Sequence, residues 1–280
     1  MISRLFVIWL LLISANVQAT QPDEFSLCLQ SSEDTYSCKQ KYFSTALQEN
    51  NYALVRSWLD RGIIDGNDGF SVNEVLGMVV CGFGLDEQGN TPFGKGKRNE
   101  VKKTIGRLLE LGASFHGMPH SQIVTPLFCV VNRQDSELLE FVLSRIQVQP
   151  EDLNASLYEG TNMMYVPLFR AVINNDLESA KVLVKHGASL DMSKLNVGYG
   201  FAEQNSLLLG ALHNKLIVMA NWLLDVGVPV YEGDEGICRG KLPIDYARVI
   251  PGNVPGRDLL IARIETQMVL DEGRCLIGVQ

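Results

Sequence analysis

The sequence predicts an all-α fold, a helical-repeat solenoid with long inter-repeat loops, and three observations predict it. First, TPLFCVVNRQDSELLEFVLSRI at 125–146 is echoed by VPLFRAVINNDLESAKVLVKHGASLD at 166–191 and NSLLLGALHNKLIVMANWLLDVGVPV at 205–230, the starts lying 41 and 39 residues apart. A recurrent period of that size is the mark of a repeat architecture. Second, each unit carries a short apolar stretch, a polar turn (132–135, 174–176, Asn214 with Lys215) and a longer segment with apolar residues at helical spacing, such as Leu139, Val142 and Leu143. That pattern predicts two antiparallel helices per unit. Third, Gly187 and Gly227 stand where the second helix should end, suited to a left-handed cap that glycine adopts without steric cost.

Taken in order, the chain opens on MISRLFVIWLLLISANVQA, in which Arg4 precedes an apolar run at 5–13 and the small residues Val17 and Ala19 stand at −3 and −1. This predicts a signal peptide over 1–19, cleaved after Ala19, and a mature protein that resides in the periplasm. The apolar run is well short of the about 20 residues that cross a bilayer, so no membrane insertion is expected. A helical N-terminal cap follows over 20–48, with its helix from about 23, then the repeats over 49–256, then a C-terminal capping helix and tail over 257–280, the helix itself spanning 257–272. Insertions collect in predicted loops: 83–98 splits the two helices of the second unit, while 147–165 and 191–204 lengthen the fingers between successive units.

With 280 residues, 46% of them hydrophobic and 20% charged, the chain can bury its own core, which excludes the disordered, collagenous and multi-span classes. Its 24 Lys and Arg against 32 Asp and Glu give a net charge of −8, which disfavours a surface built to neutralise phosphates, so nucleic acid is not an expected partner.

The residues that begin and end the units carry a resemblance. Thr125-Pro126-Leu127, Val166-Pro167-Leu168 with Ala171, and Leu242-Pro243-Ile244 with Ala247 open them; Leu108-Leu109-Glu110-Leu111-Gly112-Ala113 and Val184-Lys185-His186-Gly187-Ala188 close them. These resemble the ankyrin repeat, with its T-P-L-H-x-A start and its Gly-ended second helix, over roughly 41–272. Phe128 and Phe169 replace the family's histidine, the spacing exceeds the family's period of about 33 residues, and the first unit is recognisable only by its second helix at 52–61 and by Gly62. The resemblance implies an elongated array whose concave face and fingers bind a protein.

All six cysteines, Cys28, Cys38, Cys81, Cys129, Cys238 and Cys275, fall after the predicted cleavage site, as suits a disulfide framework in an oxidising compartment. Sequence alone leaves the connectivity open. In the ankyrin-like register the start of a first helix lies beside the end of its second, which brings Cys238, just before a helix near Lys241, to Cys275, just beyond one ending near Glu272. Cys28 with Cys38 would staple the N-terminal cap, and Cys81 with Cys129 would cross between adjacent repeats.

No catalytic, cofactor-binding or metal site is expected. The string at 89–96 nearly spells a phosphate-binding loop, but Gly96 stands where Ser or Thr must hold magnesium and no strand pattern precedes it. His116 and His120 flank Gly117 and Pro119 in a loop without an acidic or cysteine cluster. There is no Gly-x-Ser-x-Gly elbow. Asn154-Ala-Ser156 matches a glycosylation acceptor, relevant only in a eukaryotic secretory pathway. The fingers instead hold Tyr158, Tyr165, Tyr199, Phe201 and Tyr231, with Glu232, Asp234 and Glu235 adding local negative charge. Rings of large contact area beside charge suit a protein interface. The expected function is protein binding in the periplasm, as an immunity protein that neutralises a secreted antibacterial toxin. A chaperone or protector of a partner enzyme, and a hydrolase built on the inserted loops, are the alternatives.

Overall fold

A computed structural model describes residues 23–81, 97–116, 125–154, 166–192, 206–233 and 236–277. Among the described residues the protein is all-α apart from one two-stranded hairpin. Its helices are α1 (Glu24–Ser31), α2 (Thr35–Gln48), α3 (Tyr52–Asp60), α4 (Val72–Cys81), α5 (Arg98–Glu110), α6 (Pro126–Asn132) and α7 (Ser136–Leu143). There follow α8 (Pro150–Asn154), α9 (Pro167–Ile173), α10 (Leu177–Lys185), α11 (Leu207–His213), α12 (Ile217–Asp225), α13 (Pro243–Val249) and α14 (Arg257–Ile277). Strands β1 (Glu232–Gly233) and β2 (Gly236–Ile237) pair antiparallel between α12 and α13.

The helices pack as successive pairs: α2 with α3, α4 with α5, α6 with α7, α9 with α10, α11 with α12, and α13 with α14. First helices touch first helices along one row, from α2 through α4, α6, α9 and α11 to α13. Second helices touch along the other row, α3 with α5, α5 with α7, α7 with α10, and α12 with α14. The two rows differ in chemistry. In the first row α6 is buried along its whole length, as are residues 74–81 of α4 and 207–212 of α11, which is why these segments are apolar nearly all round, Glu74 and Asn132 excepted. Second helices are amphipathic, and α5 buries only Val101, Thr104, Ile105 and Leu108 while its cations face outward. At the N-terminal end Phe25, Phe43, Trp58 and Phe70 form an aromatic cluster with centroid separations from 4.7 to 6.1 Å.

Two small devices recur in the pairs. Between first and second helix one residue adopts a left-handed backbone (Asn50, Gln134, Asn175, Lys215, φ 53 to 58°) directly before the N-cap of the second helix. Three of those N-caps, Asn51, Asp135 and Asp176, accept a hydrogen bond from the backbone N–H three residues on. After the second helix Gly62, Gly112, Gly187 and Gly227 take φ of 68 to 100°, and the following N–H donates back to the carbonyl five residues earlier, as Ala188 does to Leu183 and Val228 to Leu223. Helix starts follow the sequence as well, since Pro126, Pro167 and Pro243 occupy the first turn, where a missing N–H costs nothing.

The structure departs from the sequence expectation in four places. Segment 20–48 holds two helices, and the second of them, α2, packs on α3 as first helices do elsewhere, so the boundary at 48 falls inside a helix pair. The stretch 147–165 contains the short helix α8, packed on α9. The C-terminal helix runs to Ile277, past the end at 272 that the sequence predicts, and so includes Cys275. The hairpin β1–β2 occupies a segment read as plain finger, and Gly233 permits it, because a Cβ there would stand 1.9 Å from the Arg239 carbonyl oxygen.

Disulfides join Cys28 to Cys38 (Cα–Cα 6.1 Å) and Cys81 to Cys129 (Cα–Cα 4.8 Å). The first closes α1 onto α2, and the second ties the end of α4 to α6 in the next pair. Cys238 is also disulfide-bonded, while the side chain of Cys275 lies outside the described residues.

Candidate functional site

Of the finger residues singled out in the sequence, Tyr158, Tyr165, Tyr199, Phe201, Asp234 and Glu235 lie outside the described residues. Tyr231 and Glu232 are described, and Glu232 differs from expectation. Its side chain is 2% exposed, because β1 turns it inward, opposite Ile237, so it contributes no surface charge for steering a partner. Tyr231 is half-buried beside the hairpin and its carbonyl accepts from the Cys238 N–H at 2.7 Å. His116, read from sequence as a loop residue, places Nδ1 2.7 Å from the Asp152 carboxylate of α8, a tie between consecutive units. Among the described residues no group of three His, Cys, Asp or Glu is placed to hold a metal ion. No helix there is long and apolar enough to cross a membrane.

Sequence reasoning missed a different feature. Three consecutive second helices, α3, α5 and α7, leave an open groove of about 750 Å³ between their outward faces. Five cations line it, Arg56, Lys102, Lys103, Arg107 and Arg145, against the three carboxylates of Asp60, Glu100 and Glu110. This is a local positive excess on a chain whose net charge is −8.

Three of those cations are engaged. Arg56 reaches from α3 to the Glu100 carboxylate and to Thr104 Oγ1 at 3.0 Å, and Lys103 donates to Glu100 at 2.9 Å. Hydrogen bonds from Lys103 and Arg56 hold the Glu100 carboxyl below its usual range. Arg107 donates to Glu110 at 3.0 Å and to Asp60 at 2.7 Å, and these contacts raise its guanidinium further. These bonds bind α5 to α3 and fix the groove wall. The other two cations meet an aromatic ring instead: Lys102 Nζ lies 5.5 Å and Arg145 Cζ 4.3 Å from the centroid of Phe141. Neither has a carboxylate partner among the described residues. Gly106, in the middle of α5, completes the lining.

The available signal was the string RNEVKKTIGR at 98–107, dense in cations for an acidic protein and broken by a glycine inside a helix. Its meaning depends on α3 and α7 lying on either side, which no spacing within the string reveals. Chemically the groove offers charge and one aromatic face, without a nucleophile paired to a base. No family model matches this chain, and no curated relative matches it.

Proposed function

We propose that this protein is an exported, ankyrin-like helical-repeat solenoid that binds one protein partner in the periplasm, a secreted antibacterial toxin that it neutralises, and that it performs no chemistry. The observation that carries the reading is the pairwise stacking of helices in two rows, four of the six pairs built with the same left-handed turn and four ending on the same glycine stop. Arrays of this kind are stabilised by nearest-neighbour contacts and present long surfaces suited to protein recognition. Disulfides support an oxidising compartment, in agreement with the predicted signal peptide at 1–19. In this reading α1 caps the array, the helix pairs from α2 to α12 form the repeats and α13 with α14 closes it, while Tyr158, Tyr165, Tyr199, Phe201 and Tyr231 supply contact area on the fingers.

The test is purification of the exported protein with its partner from periplasm, followed by intact-mass measurement and assay of the partner. A chain beginning at Thr20, in complex with a toxin whose activity is lost on binding, is the expected result. A mass that retains 1–19, or a partner that is a resident enzyme protected rather than inhibited, overturns the compartment or the toxin reading respectively.

A further inference from the structure

We infer that the groove across α3, α5 and α7 is a docking site for an acidic peptide segment, an extended stretch of a partner protein carrying carboxylates around an apolar side chain. This inference does not rest on the toxin reading.

Two independent observations carry it. The first is charge without a partner: Lys102 and Arg145 sit within 6 Å of the one ring of Phe141, and no carboxylate of the described chain answers them, although the neighbouring cations are all paired. Carboxylates of an incoming segment would complete these two, and its apolar side chain would lie against the ring. The second is Gly106. A glycine inside a helix is less stable than alanine there, and it survives where backbone conformation or tight packing demands it. Neither demand exists at Gly106, whose backbone is helical and around which nothing lies within 4 Å of a built Cβ. The empty position opens on the groove, where it permits close approach by a second backbone.

The three groove carboxylates Asp60, Glu100 and Glu110 decide the class of ligand. Together with the overall charge of −8 they repel a long polyanion such as a nucleic acid, whereas a short segment places its few charges at Lys102 and Arg145 alone. A volume of about 750 Å³ is within the usual range for a seated ligand of several residues' side chains.

The experiment uses the whole mature chain and a fluorescein-labelled peptide of alternating Glu and Leu, read by fluorescence anisotropy at about 50 and about 200 mM salt. Binding should be specific to this peptide over its Lys-Leu counterpart and weaker at the higher salt. Lys102→Glu with Arg145→Glu should weaken it at least about tenfold, while Lys181→Glu, on the same row but outside the groove, should leave it unchanged. Gly106→Leu should abolish binding, and Gly106→Ala should weaken binding while raising Tm by about 1–4 °C. Unaltered affinity in the double variant overturns the site. So does competition by inorganic phosphate or a single-stranded oligonucleotide as effective as the unlabelled peptide, which would make this a plain anion site. A lower Tm in Gly106→Ala overturns the argument from the glycine.

Discussion

Lys39 shows at a single side chain how charge is used inside this protein. It is only 4% exposed, and its ammonium sits between two carboxylates of the 63–71 turn, 3.1 Å from Asp65 and 2.8 Å from Asp68. Burial raises the Asp68 carboxyl, but hydrogen bonds from Lys39, Thr35 and the Phe70 N–H outweigh it and hold the group below its ordinary 3.8. Asp65 is likewise lowered, by Lys39 and Asn67. Because both folded values are depressed, the stabilisation is present above about pH 4 and is lost as pH falls through those lowered values. Lys39→Met should therefore lower stability by about 2 kcal/mol at neutral pH, less than for a fully buried pair because Asp65 is half exposed, and the deficit should shrink in acid; urea titrations from neutral pH down to about pH 3 read it. Tyr52 acts at the other end of the scale. It is 1% exposed, and burial pushes its phenol up to about 12, with the Arg133 guanidinium beside it pulling the other way. A raised folded value means stability is intact below about pH 10 and is lost as pH rises toward 12. Ultraviolet titration should show this phenol ionising only as the protein unfolds, and Tyr52→Phe should remove on the order of 2 kcal/mol of the alkaline loss.

At the scale of elements, the same two turns recur with different residues, so the sequence holds its own controls. Asn50 and Asn175 suit the left-handed backbone before the second helix, whereas Gln134 and Lys215 hold it at φ 53 and 58° with side chains that rarely adopt it. Gln134→Asn and Lys215→Asn should each raise stability by about 0.5 kcal/mol, read as a shift in denaturation midpoint at constant slope. At the helix stops the sign reverses. Gly187→Ala, at φ 100°, should cost about 1 kcal/mol although nothing lies within 4 Å of the new methyl, since the penalty is conformational. Gly210 is constrained by space instead: a Cβ would meet the Phe169 ring at 2.9 Å, because α11 packs against α9 through that position.

For the molecule as a whole, stability depends on ties between neighbouring pairs. The outer row is laced by Arg56 with Glu100, Lys185 with Glu140 at 2.8 Å, and Arg263 with Asn221 at 2.7 Å and Asp225. Exposed pairs of this kind contribute little singly, so the inner row of buried Leu, Val and Phe carries most of the cohesion. The disulfides act on the unfolded chain. Cys81–Cys129 encloses 48 residues of separation and Cys28–Cys38 only 10, so loop closure predicts about 4 against about 3 kcal/mol. Replacing both cysteines of the longer bridge by Ala should lower Tm more than the same change in the shorter, and a thermal scan decides the order. Non-reducing peptide mapping should in addition recover Cys238 linked to Cys275; free alkylation of either in the native protein would break the helix register that pairs them.

The sequence by itself determined the helix pairs within 125–146, 166–191 and 205–230, with their turns, and the stops at Gly187 and Gly227, because those depend on near neighbours: helical spacing, a proline in the first turn, a glycine two residues past the last. It also indicated the Cys28–Cys38 and Cys81–Cys129 pairs, once helix order had placed their ends together. Tertiary structure decided the rest. It assigned α2 to a pair, since its partner α3 lies beyond the turn at which composition suggested a boundary. It turned Glu232 inward, which only the hairpin register specifies. It assembled the groove from Arg56, Lys102, Phe141 and Arg145, residues of three helices and of the turn after the third, whose separation in the chain hides their proximity. Local physics sets φ, ψ and periodicity residue by residue, and is legible in order along the chain. A surface is made by stacking, which places outward faces of successive second helices side by side, and its chemistry exists only after the inner row has buried its apolar side chains.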